Sequence, residues 1–231
     1  MRKLGILVAA LLVVAAWTAP GQATPELFEY ALNLDGVVSN ITLGDAVPAE
    51  VNSAGFNATT GLGNLSITVS GAGAHYVALF VDHDVAAETN TFLNEFGAVS
   101  GAAGAGLSWE IDEPGYVFGD IYTNFTNKAL DNSNAVPAGS QDDVSMALGW
   151  DFVLAAGETG VITFNLGVAA PGGFYLQQTD PAGTEADPGS VFYASGLEIG
   201  GGEVPVPEPA TLLLMGSGLG GLALLRKRMK R

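Results

Sequence analysis

The sequence contains no cysteine and only two histidines, His75 and His83. The lack of cysteine excludes disulfide bonds, thiol nucleophiles and thiolate metal sites. No Gly-x-Ser-x-Gly segment is present, so the nucleophile elbow of the α/β-hydrolases is also missing. His75 precedes an apolar run, a position typical of a residue at a strand end rather than of a general base. These absences favour a protein that is not an enzyme.

Positive charge is nearly absent from the central part of the chain. Lys128 is the only Lys or Arg between residues 24 and 205, against 23 Asp and Glu, so this span has a net charge of −22. Such a surface repels phosphate backbones and anionic membranes, which argues against nucleic acid as a partner. The lack of arginine also removes the bidentate clamp that often binds anionic substrates.

The amino terminus has the three parts of a secretory signal peptide. Met1-Arg2-Lys3 is the positive region, residues 4–17 are apolar, and Gly21-Gln22-Ala23 is a small-x-small cleavage site. We therefore expect a signal peptide over residues 1–23 and export through the Sec translocon. Signal peptidase would cleave after Ala23, and the mature chain would begin at Thr24.

The carboxyl terminus combines three features in a fixed order. Val206-Pro207-Glu208-Pro209 is followed by sixteen uncharged residues, 210–225, and then by five positive charges in residues 226–231. The two prolines force extended backbone before a helix can begin. A helix over residues 210–225 would be roughly 24 Å long, slightly shorter than a hydrocarbon core of about 30 Å. We expect a single transmembrane helix whose basic end lies in the cytoplasm.

This order resembles the PEP-CTERM sorting signal of exported bacterial proteins, and the resemblance covers residues 206–231. It implies that an exosortase, a membrane protein, recognises Val206, Pro207, Glu208 and Pro209 and cleaves nearby. It also implies a Gram-negative host that makes extracellular polysaccharide or a biofilm matrix. The precursor would then span the inner membrane once, and the processed chain would reach the cell surface or the extracellular matrix.

The region between the two signals is predicted to be all-β. Polar and apolar residues alternate most clearly in residues 144–154 and 162–168, and the turn at 155–160 between them indicates a hairpin. Residues 76–81 are apolar on both faces, as expected of a central strand. We therefore predict one antiparallel β-sandwich, jelly-roll or Ig-like, over residues 24–197, with roughly nine to eleven strands.

Other segments complete this outline. The first strand is expected to bury Phe28, Tyr30, Leu32 and Leu34 on one face, opposite Glu29, Ala31 and Asn33. Further strands are predicted around residues 65–69, 109–111, 117–121, 174–177 and 191–199. Residues 86–96 are the only candidate for a short helix, and residues 98–106 and 180–189 are expected to be loops. Residues 198–205, with three glycines, are expected to form a flexible tether to the sorting signal.

Two acidic clusters are candidates for cation binding. Asp82, Asp84 and Glu88 follow an apolar strand and could supply the oxygen ligands that calcium prefers, although their spacing is not that of a twelve-residue calcium loop. A solvated acidic loop is the alternative for this cluster. Glu110, Asp112 and Glu113 form the second cluster, which we interpret as a solvated acidic face. No other cofactor is expected.

The sequence therefore predicts an exported structural or interaction protein that is associated with the cell surface or matrix. Two alternatives remain open. A carbohydrate-binding module, with extracellular polysaccharide as its partner, would use Trp109, Tyr116 and Tyr122 as an exposed stacking row. A secreted hydrolase would need two close, buried carboxylates with raised pKa values in a cleft.

Overall fold

The computed structural model describes residues 25–85, 91–115, 117–181 and 189–201. These parts of the chain form eleven strands and one short α-helix. The strands are β1 (Glu26–Leu34), β2 (Val37–Asn40), β3 (Val51–Asn57), β4 (Leu62–Ser70), β5 (Gly73–Asp84), β6 (Phe96–Ser100), β7 (Leu107–Asp112), β8 (Ser145–Leu154), β9 (Glu158–Gly167), β10 (Tyr175–Asp180) and β11 (Gly189–Gly201), and the helix is α1 (Ile121–Thr126).

The strands build two antiparallel sheets. The first has five strands in the order β2-β1-β5-β8-β7, and the second has six in the order β3-β4-β9-β11-β10-β6. Apolar side chains from both sheets meet in one hydrophobic cluster, for example Leu79 and Leu148 from the first sheet with Ile162 and Phe164 from the second. The face of each sheet that carries this main core is called its inner face below.

Strands β5 and β8 form the centre of the first sheet, and both faces of each are covered. Val77 and Leu79 lie on the inner face, whereas Tyr76 and Phe80 belong to a second, smaller cluster on the outer face. The prediction of a central strand at residues 76–81 is confirmed. Strand β8 likewise turns Trp150 inward, as its alternating sequence indicates.

The first strand differs from its predicted pattern at one residue. The pairing of β1 with β5 has a bulge between Leu27 and Glu29. A bulge inserts one extra residue and shifts the alternation. Phe28 is consequently 58% exposed, whereas Leu27 and Tyr30 are buried. The expectation that Phe28 faces the core is wrong for this reason.

The predicted hairpin of residues 144–168 is also wrong. Strand β8 pairs with β5 and β7 in the first sheet, and β9 pairs with β4 and β11 in the second. The connection between them, residues 155–157, therefore crosses from the first sheet to the second. Both strands bury their apolar faces in the main core. Alternation alone therefore could not distinguish a connection between the two sheets from a hairpin within one sheet.

The connection from β7 to β8 covers the outer face of the first sheet. Residues 117–121 in this connection were predicted to be a strand, but residues 117–120 are in neither strand nor helix and α1 begins at Ile121. Ile121 and Phe125 are fully buried, while Val117 is 81% exposed. A six-residue helix is not stable alone, and the Phe125 ring packs 5.9 Å from that of Phe80. Asn33 Nδ2 donates to the carbonyls of Phe125 and Thr126 at 2.7 and 3.2 Å.

Several boundaries differ from the predicted outline. The only helical residues described in the predicted helix 86–96 are a 3-10 turn at Phe92–Asn94, and β6 occupies the start of the predicted loop 98–106. Strand β11 continues to Gly201, into the predicted tether.

Within the described residues, no helix is long and apolar enough to cross a membrane. The expected transmembrane helix 210–225, the signal peptide 1–23 and residues 202–205 lie outside them.

Candidate functional site

The outer face of the first sheet carries a line of buried polar side chains, which we call the carboxylate row. Strand pairing places Glu29 opposite Asp82, Asp82 opposite Ser145, and Ser145 opposite Asp112. Directly opposed residues share a face of a sheet and lie about 5 Å apart at Cβ. Between 0% and 7% of each residue is exposed. Three carboxyls and one hydroxyl thus lie side by side, away from solvent.

Helix α1 and the segment after it cover the Asp112 end of the row. The backbone N–H of Asp120 donates to Asp112 Oδ2 at 2.7 Å. Glu110, on the same face of β7, accepts from Asn124 Nδ2 at 3.0 Å and from the backbone N–H of Asp131 at 3.3 Å. The same elements that bury these two carboxyls therefore provide hydrogen-bond donors to them.

Three carboxyls at this end are close enough to share one ion. One oxygen from each of Glu110, Asp112 and Asp120 lies within 4.8 Å of the other two. Two ligands of one calcium ion, each 2.3–2.6 Å from it, are separated by at most about 5 Å. Asp120 is exposed while the other two are buried, so the group is reached from solvent at Asp120.

Several oxygens along the row have no hydrogen-bond partner. Glu29 Oε2, Asp82 Oδ1 and Ser145 Oγ are out of contact with solvent and make no hydrogen bond of normal geometry, and the same is true of Asp143 Oδ1 beside the row. A buried polar atom without a partner costs about 1–3 kcal/mol. Hydrogen bonds within the protein therefore do not satisfy all the buried oxygens of the carboxylate row.

Burial dominates the electrostatics of the row. It raises the pKa of Asp82 well above the ordinary range, repulsion from Asp143 adds to the effect, and the adjacent Ser145 hydroxyl opposes it only in part. Burial likewise raises the pKa of Glu110 to about 7, although the hydrogen bond from Asn124 lowers this pKa in part. These carboxyls either hold protons near neutral pH or need a positive charge beside them.

The protein itself supplies little positive charge near the row. Lys128 is the only Lys or Arg in the described parts of the chain, and its side chain lies beside Gly36, in the turn after β1. His75 pairs with Asp35 in the same turn, at 2.9 Å between Nδ1 and Oδ2. This turn is at the opposite end of β1 from Glu29, so neither group neutralises the row.

A second buried cluster, which we call the polar plug, closes one end of the main core. It consists of Glu95, Gln178 and His83. Glu95 Oε1 accepts from the Val85 N–H at 2.8 Å, and Gln178 Nε2 donates to Glu95 Oε2 and to the His83 carbonyl. Burial raises the pKa of Glu95 to about 9 and lowers that of His83 to about 4. Both groups are therefore uncharged near neutral pH.

The structure brings together only part of the first predicted cation cluster. Asp82 belongs to the carboxylate row on the sheet, not to a loop, and Asp84 is half-buried two residues further along β5. Burial, followed by repulsion from Glu26, raises the pKa of Asp84. Glu88 lies outside the described residues. Cation binding by Asp82, Asp84 and Glu88 remains a prediction.

The second acidic cluster differs from the expected solvated face. Glu110 is 1% exposed and Asp112 is 7% exposed, because α1 and the following segment cover this part of β7. Glu113, the third member, follows the strand and is half-buried. The expectation placed Glu110 and Asp112 correctly on one face of the strand but missed the layer above that face.

The structure does not bring together Trp109 and Tyr122, two of the three residues of the predicted aromatic row. Trp109 packs against the main core, with its ring 6.2 Å from that of Phe174. Tyr122 lies in α1 on the opposite side of the first sheet, where its ring meets Phe80 at 5.2 Å and its hydroxyl accepts from Asn40 Nδ2 at 3.0 Å. Tyr116 lies outside the described residues.

Two surface clefts have volumes of about 400 and 440 Å³. The smaller is bordered by Asp35 and His75. The larger combines apolar side chains with carboxylates and is lined by Phe92, Leu93, Glu113, Pro114, Val117, Phe118, Asp142 and Asp143. Neither of these two clefts includes Glu110 or Asp112.

Sequence reasoning missed Asp120, Asn124 and Ser145 as parts of this site. A signal existed, since acidic residues occupy the outward positions of β1, β5 and β7 near one end of each strand. Their alignment depends on strand order and register, which are not local properties of the sequence.

Comparison with known proteins informs only the carboxyl terminus. No curated protein and no solved structure shows significant similarity to the chain. Residues 205–228 match the family model of the PEP-CTERM protein-sorting motif, which confirms the resemblance seen in the sequence. The motif Val206–Pro209 and the cleavage site Ala23 lie outside the described residues. This match of the carboxyl-terminal segment supports an exported protein that is sorted through an exosortase.

Proposed function

We propose that the chain is an exported structural or interaction protein without enzymatic activity. It is made as a precursor anchored once in the inner membrane of a Gram-negative cell, and exosortase cleavage near Val206–Pro209 releases the β domain to the cell surface or to an exopolysaccharide matrix. The observation that carries this proposal is the motif match at residues 205–228. The charge of −22 over residues 24–205 supports an extracellular destination, where salts screen self-repulsion.

We further propose that the β domain is a sandwich of the jelly-roll or Ig-like kind. The two antiparallel sheets and their shared hydrophobic cluster support this assignment. In this architecture the loops at the two ends and the outer sheet faces are the surfaces available to partners. The domain then acts as a compact, acidic unit that the sorting signal delivers.

A secreted hydrolase is the second candidate, because Glu110 and Asp112 are close, buried carboxyls and the pKa of Glu110 is about 7. The covering by α1 disfavours it: both Glu110 oxygens accept hydrogen bonds from neighbouring groups, and only 1% of the residue is exposed. A carbohydrate-binding module is less well supported, since Trp109 and Tyr122 lie on opposite sides of the first sheet.

Processing can be tested in the native host with and without its exosortase gene. In the wild-type cell, the mature protein should lack the carboxyl-terminal segment, as measured by intact mass, and should leave the membrane fraction. In the exosortase deletion, the longer form should stay with the membrane. Replacement of Pro207, Glu208 and Pro209 by Ala should have the same effect in the wild-type cell.

A matched variant with Glu185→Ala and Pro188→Ala changes the same residue types outside the motif and should be processed normally. Normal processing of the motif variant, or release of the shortened chain from cells without exosortase, would refute the proposal.

A further inference from the structure

We propose that a calcium ion binds at the Asp112 end of the carboxylate row, held by the carboxylates of Glu110, Asp112 and Asp120. This inference concerns the folded β domain and does not depend on the sorting proposal. It differs from the sequence prediction at Asp82, Asp84 and Glu88, because its ligands come from β7 and the start of α1.

The spacing of the three carboxylates is the first argument. Their oxygens lie within 4.8 Å of one another, which suits ions with metal–oxygen distances near 2.4 Å. The three donors are all oxygen, without histidine or cysteine, as hard cations prefer. Calcium accepts irregular oxygen cages, whereas magnesium demands near-ideal octahedral geometry at 2.0–2.1 Å. Exposed Asp120 provides the route by which the ion enters.

The unpartnered buried atoms beside this group are an independent argument. Ser145 lies directly opposite Asp112 on the same face and is 0% exposed; its hydroxyl lies beside the Asp82 carboxyl and lowers the pKa of that group, but it makes no hydrogen bond of normal geometry. Asp82 is the next residue along the row, and its buried Oδ1 also lacks a partner. Native proteins pair almost all buried polar atoms. An ion bound at Asp112 would place a positive charge close to these oxygens and stabilise them electrostatically.

The charge balance of the region is the third argument. The row and its neighbours place several carboxylates on a covered face, while Lys128 and His75 lie at the other end of β1. Uncompensated buried charges are strongly unfavourable. A dication that bridges Asp112 on β7 to Asp120 at the start of α1 would reduce the repulsion and attach the helix to the sheet.

Isothermal titration of the full chain, purified in detergent micelles and freed of metal with EDTA, tests the site. We expect one calcium ion per chain with a Kd of about 1 mM or tighter, as in extracellular calcium modules. Thermal unfolding should shift upward with CaCl2 more than with NaCl at matched ionic strength. MgCl2 should have a weaker effect than CaCl2.

Variants distinguish calcium binding at this site from general screening of the protein's charge by salt. Asp112→Asn and, separately, Asp120→Asn should weaken calcium binding at least about tenfold, and exposed Asp120 can change without creating a buried cavity. Glu50→Gln with Glu198→Gln removes two charges from exposed positions and should bind calcium like the wild type. The proposal is overturned if wild-type protein shows no saturable calcium binding at millimolar levels, if NaCl or MgCl2 equals CaCl2, or if Asp120→Asn binds as tightly as wild type.

Discussion

The two faces of the first sheet are both buried, but their chemistry is opposite. On the inner face β8 presents Met146, Leu148 and Trp150 to the second sheet. On the outer face the same strand presents Ser145 and Ala147 to α1 and the carboxylate row. Burial therefore does not imply an apolar environment in this protein. The layer that covers each face determines whether apolar or polar side chains can be buried there.

The outer layer is thin, and small residues make that possible. Ala78 and Ala147 belong to the same cluster as Ile121 and Phe125 of α1, and a Cβ on Gly149 would lie only 2.5 Å from Tyr76 Oη. The helix has six residues and is held by Ile121 and Phe125 together with hydrogen bonds at both ends. The inner face is stabilised by apolar packing over the area of a whole sheet, whereas the outer face relies on specific polar contacts.

The largest effect is expected from an inner-face truncation. Trp150→Ala should lower the free energy of unfolding by about 3–5 kcal/mol, because it leaves a cavity in the main core and removes the hydrogen bond from Nε1 to Ser195 Oγ. Urea denaturation monitored by circular dichroism gives the difference. Asp151→Ser, at the next and exposed position of β8, should change stability by at most about 0.5 kcal/mol. Equal losses in the two variants would contradict the assignment of faces.

The polar plug interrupts the apolar inner layer, and it predicts a pH dependence. Burial raises the pKa of Glu95 from its ordinary value of 4.5 to about 9 in the folded state, with repulsion from Asp143 and Asp180 adding to the effect. The folded state thus binds a proton that the unfolded state releases above pH 4.5, so stability falls as pH rises from about 5 towards 9. Glu95 alone should contribute a loss of at least about 2 kcal/mol between pH 5 and 8, measured in calcium-free buffer. His83, whose pKa burial lowers from 6.5 to about 4, contributes in the opposite direction below about pH 6.5.

Glu95→Gln tests whether this residue causes the slope. The amide keeps an oxygen that can accept from the Val85 N–H and cannot ionise, so the loss of stability between pH 5 and 8 should become smaller. Glu198→Gln, at an exposed position of β11, should leave the slope unchanged. A slope that is the same in Glu95→Gln and wild type would show that another group is responsible.

A smaller effect is expected where the outer layer is attached to the sheet. Asn33→Ala removes the two hydrogen bonds to the last carbonyls of α1 and the acceptor for the Gly36 N–H. We expect a loss of about 1–3 kcal/mol and faster amide hydrogen exchange in α1, with little change in β9. Asn165→Ala, at an exposed position of β9, is the matched control and should cost at most about 0.5 kcal/mol. Unchanged exchange in α1 would show that Asn33 does not hold the helix.

The inner layer could be predicted from the sequence because its signal is local. Alternation identified β4, β8 and β9, and an apolar run identified β5 as a central strand; these strands bury most of the residues that the patterns indicate. The short hairpin of β1 and β2 was not predicted, although Asp35-Gly36 is an Asp-Gly pair, and both residues have the positive φ, 55° and 93°, that a type I′ turn requires. The sequence did not predict the sheet to which each strand belongs, because sheet membership depends on long-range strand pairing.

The outer layer and the carboxylate row could not be predicted in the same way. Glu29, Glu110 and Asp112 occupy positions that alternation assigns to solvent, and only the fold shows that α1 and its connection cover them. Ile121 and Phe125 have the i, i+4 spacing of a helix face, but a single such pair is too short to distinguish from a strand. Alignment of Asp82, Ser145 and Asp112 requires the register of three strands.

The smallest expected effect tests the bulge in β1, where the alternating pattern and the structure disagree. Phe28 is 58% exposed and Leu27 is 9% exposed, although the pattern assigned Phe28 to the core. Phe28→Ala should therefore cost at most about 0.5 kcal/mol, whereas Leu27→Ala should cost about 2–5 kcal/mol. Denaturant unfolding of the two variants under one set of conditions decides between the two orientations. A larger loss for Phe28→Ala than for Leu27→Ala would mean that β1 pairs with β5 without the bulge and that Phe28, not Leu27, faces the main core.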